Sequence, residues 1–256
     1  MIGHRGAAAC APENTLAALR KARALDCRWV EFDVRLTADG EPVLMHDDRL
    51  ERTTNGRGKV SALSLAVLRQ YDAGSWFAAS FTGERVPTLA EAVTCLTELG
   101  LGANVELKAK RGREAKTGTV VADVLARSWP SQAPKPLISS FQLDALAAAR
   151  ACAPEIPRGI LFGSIPNDWR RIAEQLACTA IHVDHKALSR AAVSEIRQAG
   201  YPLLAYTVND PLRAKALLEW GVTSVFSDAP HRLHDVARIV PCRLVVTGQV
   251  STTISP

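Results

Sequence analysis

Met1-Ile2-Gly3-His4-Arg5-Gly6, followed by Pro12-Glu13-Asn14-Thr15, reads as a short apolar strand that ends in reactive side chains and turns into a helix. The same succession recurs along the chain. Strands are expected at Met1 to His4, Trp29 to Val34, Ala103 to Lys108, Leu137 to Ser140, Ile160 to Phe162, Ala180 to Asp184, Leu203 to Thr207 and Ser224 to Ser227. Amphipathic helical pattern follows each strand. Asn14 or Thr15 can cap the first helix, Thr88 with Glu91 forms a capping box, Ser189 opens a helix that Gly200 closes, and Gly221 closes another. Eight strand and helix pairs in one chain predict an α/β fold, a (β/α)8 TIM barrel, with functional groups at the C-terminal ends of the strands.

Composition agrees with a globular enzyme-sized domain. The chain has 256 residues, 47% hydrophobic and 22% charged, and no apolar run reaches the length of a membrane span. The reactive motif begins at once, with no room for a secretory leader, so a cytoplasmic location is expected. Six cysteines are scattered without a CxxC pair and are expected to be reduced. The net charge of +5 suits an anionic partner but specifies none. Lys108, Lys110, Arg111, Arg113 and Lys116 crowd one loop, either as a solvated face or as a phosphate-attracting rim. No aromatic residues interleave them, which argues against nucleic acid.

Two segments stand outside the repeat. About residues 47–86 form an insertion after the second strand, opened by an extended pair around Asp39-Gly40 and closed by Ala73-Gly74-Ser75-Trp76-Phe77, which reads as a lid over the barrel mouth. Trp76, Phe77 and Phe81 are expected to pack this lid rather than touch substrate. Residues 1–240 then make one domain, and 241–256 a tail.

The charged residues at the strand ends carry the chemistry. Glu31 and Asp33 lie two apart on one strand and so share a face, as do Glu106 and Lys108 on another, while His4-Arg5 and His46-Asp47 end two more extended segments. Inward carboxylates need cations nearby. One divalent ion on Glu31, Asp33 and Glu106 would satisfy all three, and an oxygen-only set suits Mg²⁺ or Ca²⁺, with Mn²⁺ next, over zinc. The alternative is a metal-free network neutralised by Arg5 and Lys108. With a metal, an Arg fork, a Lys point charge and two imidazoles, the set describes phosphodiester cleavage: His4 and His46 as acid and base, Arg5 and Lys108 on the phosphate.

His4-Arg5-Gly6, Pro12-Glu13-Asn14-Thr15, Glu31-Phe32-Asp33-Val34, His46-Asp47, Asp72-Ala73-Gly74-Ser75-Trp76-Phe77, Val86-Pro87-Thr88-Leu89, Asn104-Val105-Glu106-Leu107-Lys108, Tyr206-Thr207-Val208-Asn209 and Ser227-Asp228-Ala229-Pro230 resemble, in order, the motifs of the glycerophosphodiester phosphodiesterases. The resemblance runs from residue 2 to about 240. It implies a TIM barrel, a divalent metal, and hydrolysis of a small glycerophosphodiester to sn-glycerol 3-phosphate and an alcohol. It also implies His4 and His46 as the acid/base pair, Glu31, Asp33 and Glu106 as metal ligands, and Arg5 and Lys108 as phosphate contacts. The protein would be a cytoplasmic monomer or homodimer without nucleic-acid partner or membrane insertion. Tyr206 stands where the family often has Trp, and Ser227-Asp228-Ala229-Pro230 varies the usual ending. A related alternative is a lysophospholipase D or sphingomyelinase D-like activity on lipid headgroups, for which only Trp76, Phe77 and Phe81 offer an apolar entry surface. His182 and His185 read as solvated or core-satisfied residues, with a rim contact to substrate as the alternative.

Overall fold

The computed structural model describes residues 1–239, so the tail expected at 241–256 lies outside the described residues. The chain runs β1 (Ile2–Gly3), α1 (Leu16–Ala24), β2 (Trp29–Leu36), β3 (Pro42–Leu44), α2 (Leu65–Leu68), α3 (Leu89–Leu99), β4 (Gly102–Leu107), α4 (Glu114–Ser128), β5 (Leu137–Ser140), α5 (Leu143–Cys152), β6 (Arg158–Phe162), α6 (Trp169–Gln175), β7 (Ala180–Asp184), α7 (Arg190–Gln198), β8 (Leu203–Tyr206), α8 (Pro211–Trp220), β9 (Ser224–Ser227) and α9 (His234–Ile239). Eight of these strands are parallel, and the pairing of β1 with both β9 and β2 closes them into a (β/α)8 barrel. All eight expected barrel strands are present. No helix among the described residues is long and apolar enough to cross a membrane.

The layers follow from strand alternation. Val30, Phe32 and Val34 of β2, with Ala103, Val105 and Leu107 of β4, point outward and pack under the helices in the main core. Ile2, Leu137, Ala180, Leu204 and Phe226 point inward and fill the lower barrel. The expected caps hold the helices: Thr15 accepts from the Ala18 N–H, Thr88 and Glu91 form a reciprocal box, and Gly221 ends α8 in the left-handed region. Asn14 is not the cap of α1 but serves β2, as described below.

The insertion grows from a gap. Because β1 is only two residues long, β2 loses that neighbour after Val30, and β3 takes the vacant edge, pairing antiparallel from Val34↔Leu44 to Leu36↔Pro42. The segment that follows has its own small core of Val43, Met45, Leu50, Val60, Leu68, Ala73 and Val86. Asp72 organises its far end by accepting from the N–H groups of Gly74, Ser75 and Gly83. Trp76, Phe77 and Phe81 meet edge to face at 5.7 and 5.6 Å, packing against one another.

The glycine after His4-Arg5 has a steric cause. Gly6 has φ +84, and a Cβ there would lie 2.5 Å from the Ala18 carbonyl carbon of α1. Gly58 also has a positive φ, but in open space. Gly6→Ala should therefore cost about 2–4 kcal/mol, lowering Tm by roughly 5–15 °C, while Gly58→Ala costs only about 1 kcal/mol. Thermal melts of the two variants check this; equal losses would mean that the contact with α1 is not the constraint.

Candidate active site

The C-terminal ends of β1, β2 and β4 converge on one pocket with a volume of about 180 Å³. His4, Arg5, Glu31, His46, Glu106 and Lys108 line it, and Asp33 lies behind them in contact with Arg5 and Lys108. All seven residues singled out in the sequence are thus together. Register explains the carboxylates: Asp33 and Glu106 are direct neighbours across β2 and β4, and Glu31 points inward two residues earlier. One oxygen from each of Glu31, Asp33 and Glu106 lies within 4.8 Å of the others, and all three residues are buried.

Their neutralisation is partial. Lys108 Nζ lies 2.5 Å from Glu106 Oε1 and 3.4 Å from Asp33 Oδ1, and Arg5 Nε lies 3.4 Å from Asp33 Oδ2. Asn14 donates to Asp33 Oδ2 at 2.9 Å and accepts from the Asp33 N–H, while the Arg5 N–H donates to Glu31 Oε2 at 2.9 Å. Glu31 Oε1 is buried with no hydrogen-bond partner. Burial, then repulsion from Asp33, pushes Glu31 up to about 8. Burial would raise Asp33 too, but Lys108 and Arg5 outweigh it and hold that carboxyl down at about 2. Glu106 is raised by burial and by Asp33. Two cations thus face three carboxylates, and hard oxygen donors with an orphaned buried atom fit a divalent ion.

The two histidines are held differently. His4 presents Nδ1 to Asp228 Oδ1 at 2.6 Å and its Nε2 to Glu31 at 3.7 Å. Asn209 fixes Asp228 by donating to Oδ2 at 2.8 Å and accepting from the Asp228 N–H. Burial would lower His4, but Glu31 and Asp228 outweigh it and raise its pKa. His46 gives Nδ1 to Asp47 at 2.7 Å; burial lowers its pKa against the pull of Asp33, with Arg5 adding to the fall. One imidazole is biased toward the charged form and the other toward the neutral one.

Sequence reading missed the groups that brace this set. Arg52, from the insertion, clasps both oxygens of Asp47 and both of Glu13, and Glu13 also accepts from Arg5. Glu13, Asp47, Asn209 and Asp228 lay inside quoted motifs without a role and Asn14 was read only as a helix cap, whereas nothing in its spacing marked Arg52. The other half of the pocket is apolar: Phe141, Leu161, Tyr206 and Phe226 line it. Trp76, Phe77 and Phe81 do not, which corrects the expectation that only they could supply an apolar surface. His182 faces inward on the pocket floor, fully buried with neither ring nitrogen bonded, and burial pushes it down to about 3. It is neither a rim residue nor a satisfied core residue. His185 instead lies beside Arg213.

Comparison with known proteins agrees with this geometry. Residues 4–232 match the glycerophosphoryl diester phosphodiesterase family model. The chain belongs to that family. It is 32% identical to a glycerophosphodiester phosphodiesterase of Bacillus subtilis, over 93% of this chain and 86% of the relative. It is 30% identical to one from Caldanaerobacter subterraneus, over 93% and 97%. The solved structure of an Oleispira antarctica phosphodiesterase, in complex with the product sn-glycerol-3-phosphate, matches at a TM-score of 0.90 and 42% identity, over 93% of this chain and 96% of that one.

The raised Glu31 carboxyl makes the metal-free protein sensitive to pH. Its pKa rises from 4.5 to about 8 on folding, so between those values the folded chain binds a proton that the unfolded chain lacks. Stability from this group is full below 4.5 and is lost as pH rises toward 8. His46 and His182, held neutral, act in the opposite sense only below about 6.5. From pH 7 to 8 the metal-free protein should therefore lose thermal stability, and added Mg²⁺ should raise Tm more at pH 8 than at pH 7. Fluorimetric melts with and without the ion read this directly; a metal-induced rise that shrinks with pH would contradict it.

Proposed function

We propose that the enzyme hydrolyses glycerophosphodiesters to sn-glycerol 3-phosphate and an alcohol, using one divalent cation held by Glu31, Asp33 and Glu106, with Mg²⁺ or Ca²⁺ ahead of Mn²⁺. The observation that carries this reading is the convergence of three buried carboxylates, two histidines, Arg5 and Lys108 on one pocket. The product named for the Oleispira structure adds the glycerol half. When bound, the cation supplies Lewis-acid stabilisation to charge on the phosphoryl oxygens.

The chain's own residues supply the rest. Arg5 and Lys108 orient the phosphate and offset its charge, the guanidinium as a planar fork and the ammonium as a point charge. Asp228 and Asp47 each hold an imidazole by Nδ1, and His4 turns its Nε2 toward Glu31 at 3.7 Å. One imidazole takes a proton from the attacking oxygen and the other gives one to the leaving oxygen. The attacking oxygen comes from water or from a neighbouring glycerol hydroxyl, and trapping of a cyclic glycerol phosphate distinguishes the two. In this reading residues 1–240 act as one catalytic domain, with the insertion at about 47–86 bracing His46 through Asp47 and Arg52. The five cysteines among the described residues, all free, suit a cytoplasmic site of action.

Glycerol 3-phosphate release from glycerophosphocholine should stop on chelation and return with Mg²⁺, Ca²⁺ or Mn²⁺. His4→Ala and His46→Ala should each lower kcat by about 10²–10⁴. Full turnover in both variants would remove the acid–base roles. Turnover of lysophospholipid above that of the deacylated diesters would move the reading to a lipid-headgroup phosphodiesterase.

A further inference from the structure

A second cleft adjoins the active-site pocket and shares Lys108 with it. Arg35, Lys59, Lys108, Lys110 and Arg113 line it, opposed by the single carboxylate of Asp48. Arg35 comes from β2 and Lys59 from the insertion, so this is not simply the basic loop's solvated face but a meeting of three parts of the chain. Lys59 reaches Asp48 only at 4.0 Å. Lys110 and Arg113 have no carboxylate partner among the described residues, and Arg113 Nη1 is buried with no hydrogen bond. Arg35 is fixed by donating to the carbonyls of His46 and Lys108, so the cleft is braced by the segments that carry the active site.

An unmatched excess of cations around a small space selects its occupant. Arg forks and Lys point charges favour phosphate oxygens, and a buried guanidinium nitrogen without an acceptor is a group that an oxyanion satisfies. The cleft measures about 40 Å³, room for a few waters or one small tetrahedral anion. No aromatic side chain lines it, so it offers no stacking platform for a base. We propose that this cleft is a second anion site, binding one phosphate group beside the catalytic pocket. The phosphate belongs either to inorganic phosphate or to the alcohol half of a glycerophosphodiester that carries a further phosphomonoester. The second source rests on the proposed hydrolysis; the first does not.

Calorimetric titration of the metal-loaded enzyme with inorganic phosphate tests the site without turnover. Wild type should bind two phosphates, one at Arg5 and Lys108 and one in the cleft. Lys110→Ala/Arg113→Ala should bind one, with the second event weakened at least about tenfold. This variant should hydrolyse glycerophosphocholine as wild type does. If its kcat/KM for a phosphate-bearing diester also falls about tenfold relative to glycerophosphocholine, the cleft reads the substrate's own second phosphate. If only the inorganic phosphate is lost, the occupant is the free anion. Unchanged phosphate stoichiometry and affinity in the double variant would overturn the proposal, whether or not either diester is hydrolysed.

Discussion

Three carboxylates in the dry mouth of a barrel are the constraint around which this molecule is arranged. Glu31 and Asp33 face inward from one strand, and Glu106 stands beside Asp33 on the next, so mutual repulsion adds to the cost of burial. Lys108, Arg5, Asn14 and the Arg5 N–H meet Asp33, Glu106 and one oxygen of Glu31, but the other oxygen of Glu31 is left over. A purely structural ion network would be expected to close; here Lys108 and Arg5 face Glu106 and Asp33, and Glu31 is left to the looser approach of His4 at 3.7 Å. That looser closure fits a carboxylate set that could hold a metal ion.

The same need accounts for the distorted loop after β1. Arg5 and Asn14 both lie in the left-handed region, uncommon for residues with side chains, and each is held there by a contact that serves a carboxylate. Glu13 accepts from Arg5 and from Arg52 of the insertion. The insertion is therefore bound to the barrel by charge as well as by the β2–β3 ladder. The shortness of β1 and the position of His46 are two sides of one arrangement: a longer first strand would occupy the edge on which β3 lies.

The barrel was legible because it rests on local signals, alternation and capping, that recur eight times and agree with one another. The seven reactive residues were legible because a period of two places Glu31 with Asp33 and Glu106 with Lys108 on one face. Their braces were not. Asp228 is 224 positions from His4, and Arg52 belongs to an irregular segment whose path no periodicity dictates. Burial of His182 was equally hidden: whether an inward histidine finds a partner depends on what the other strands present at its level. Here the near neighbours are Gly159 and the ring of Phe226.

The division of the pocket into a charged half and an apolar half bears on how the charges act. Leu161 and Phe226 are buried on one side while Phe141 is 45% exposed, so the apolar wall is shielded only in part and the cations facing it stand in a partly lowered dielectric. Lys108 itself lies 5.6 Å from the Phe141 ring centroid, so the wall steadies the cation. Tyr206 stands where the family often has tryptophan, and its hydroxyl is already committed, donating to the Phe162 carbonyl at 2.8 Å. With the polar tip tied back, the residue offers its ring to the pocket, edge on to Phe141. Tyrosine therefore keeps an aromatic wall at this position while anchoring it to β6, and it is that wall, not the aromatic cluster of the insertion, that lines the pocket.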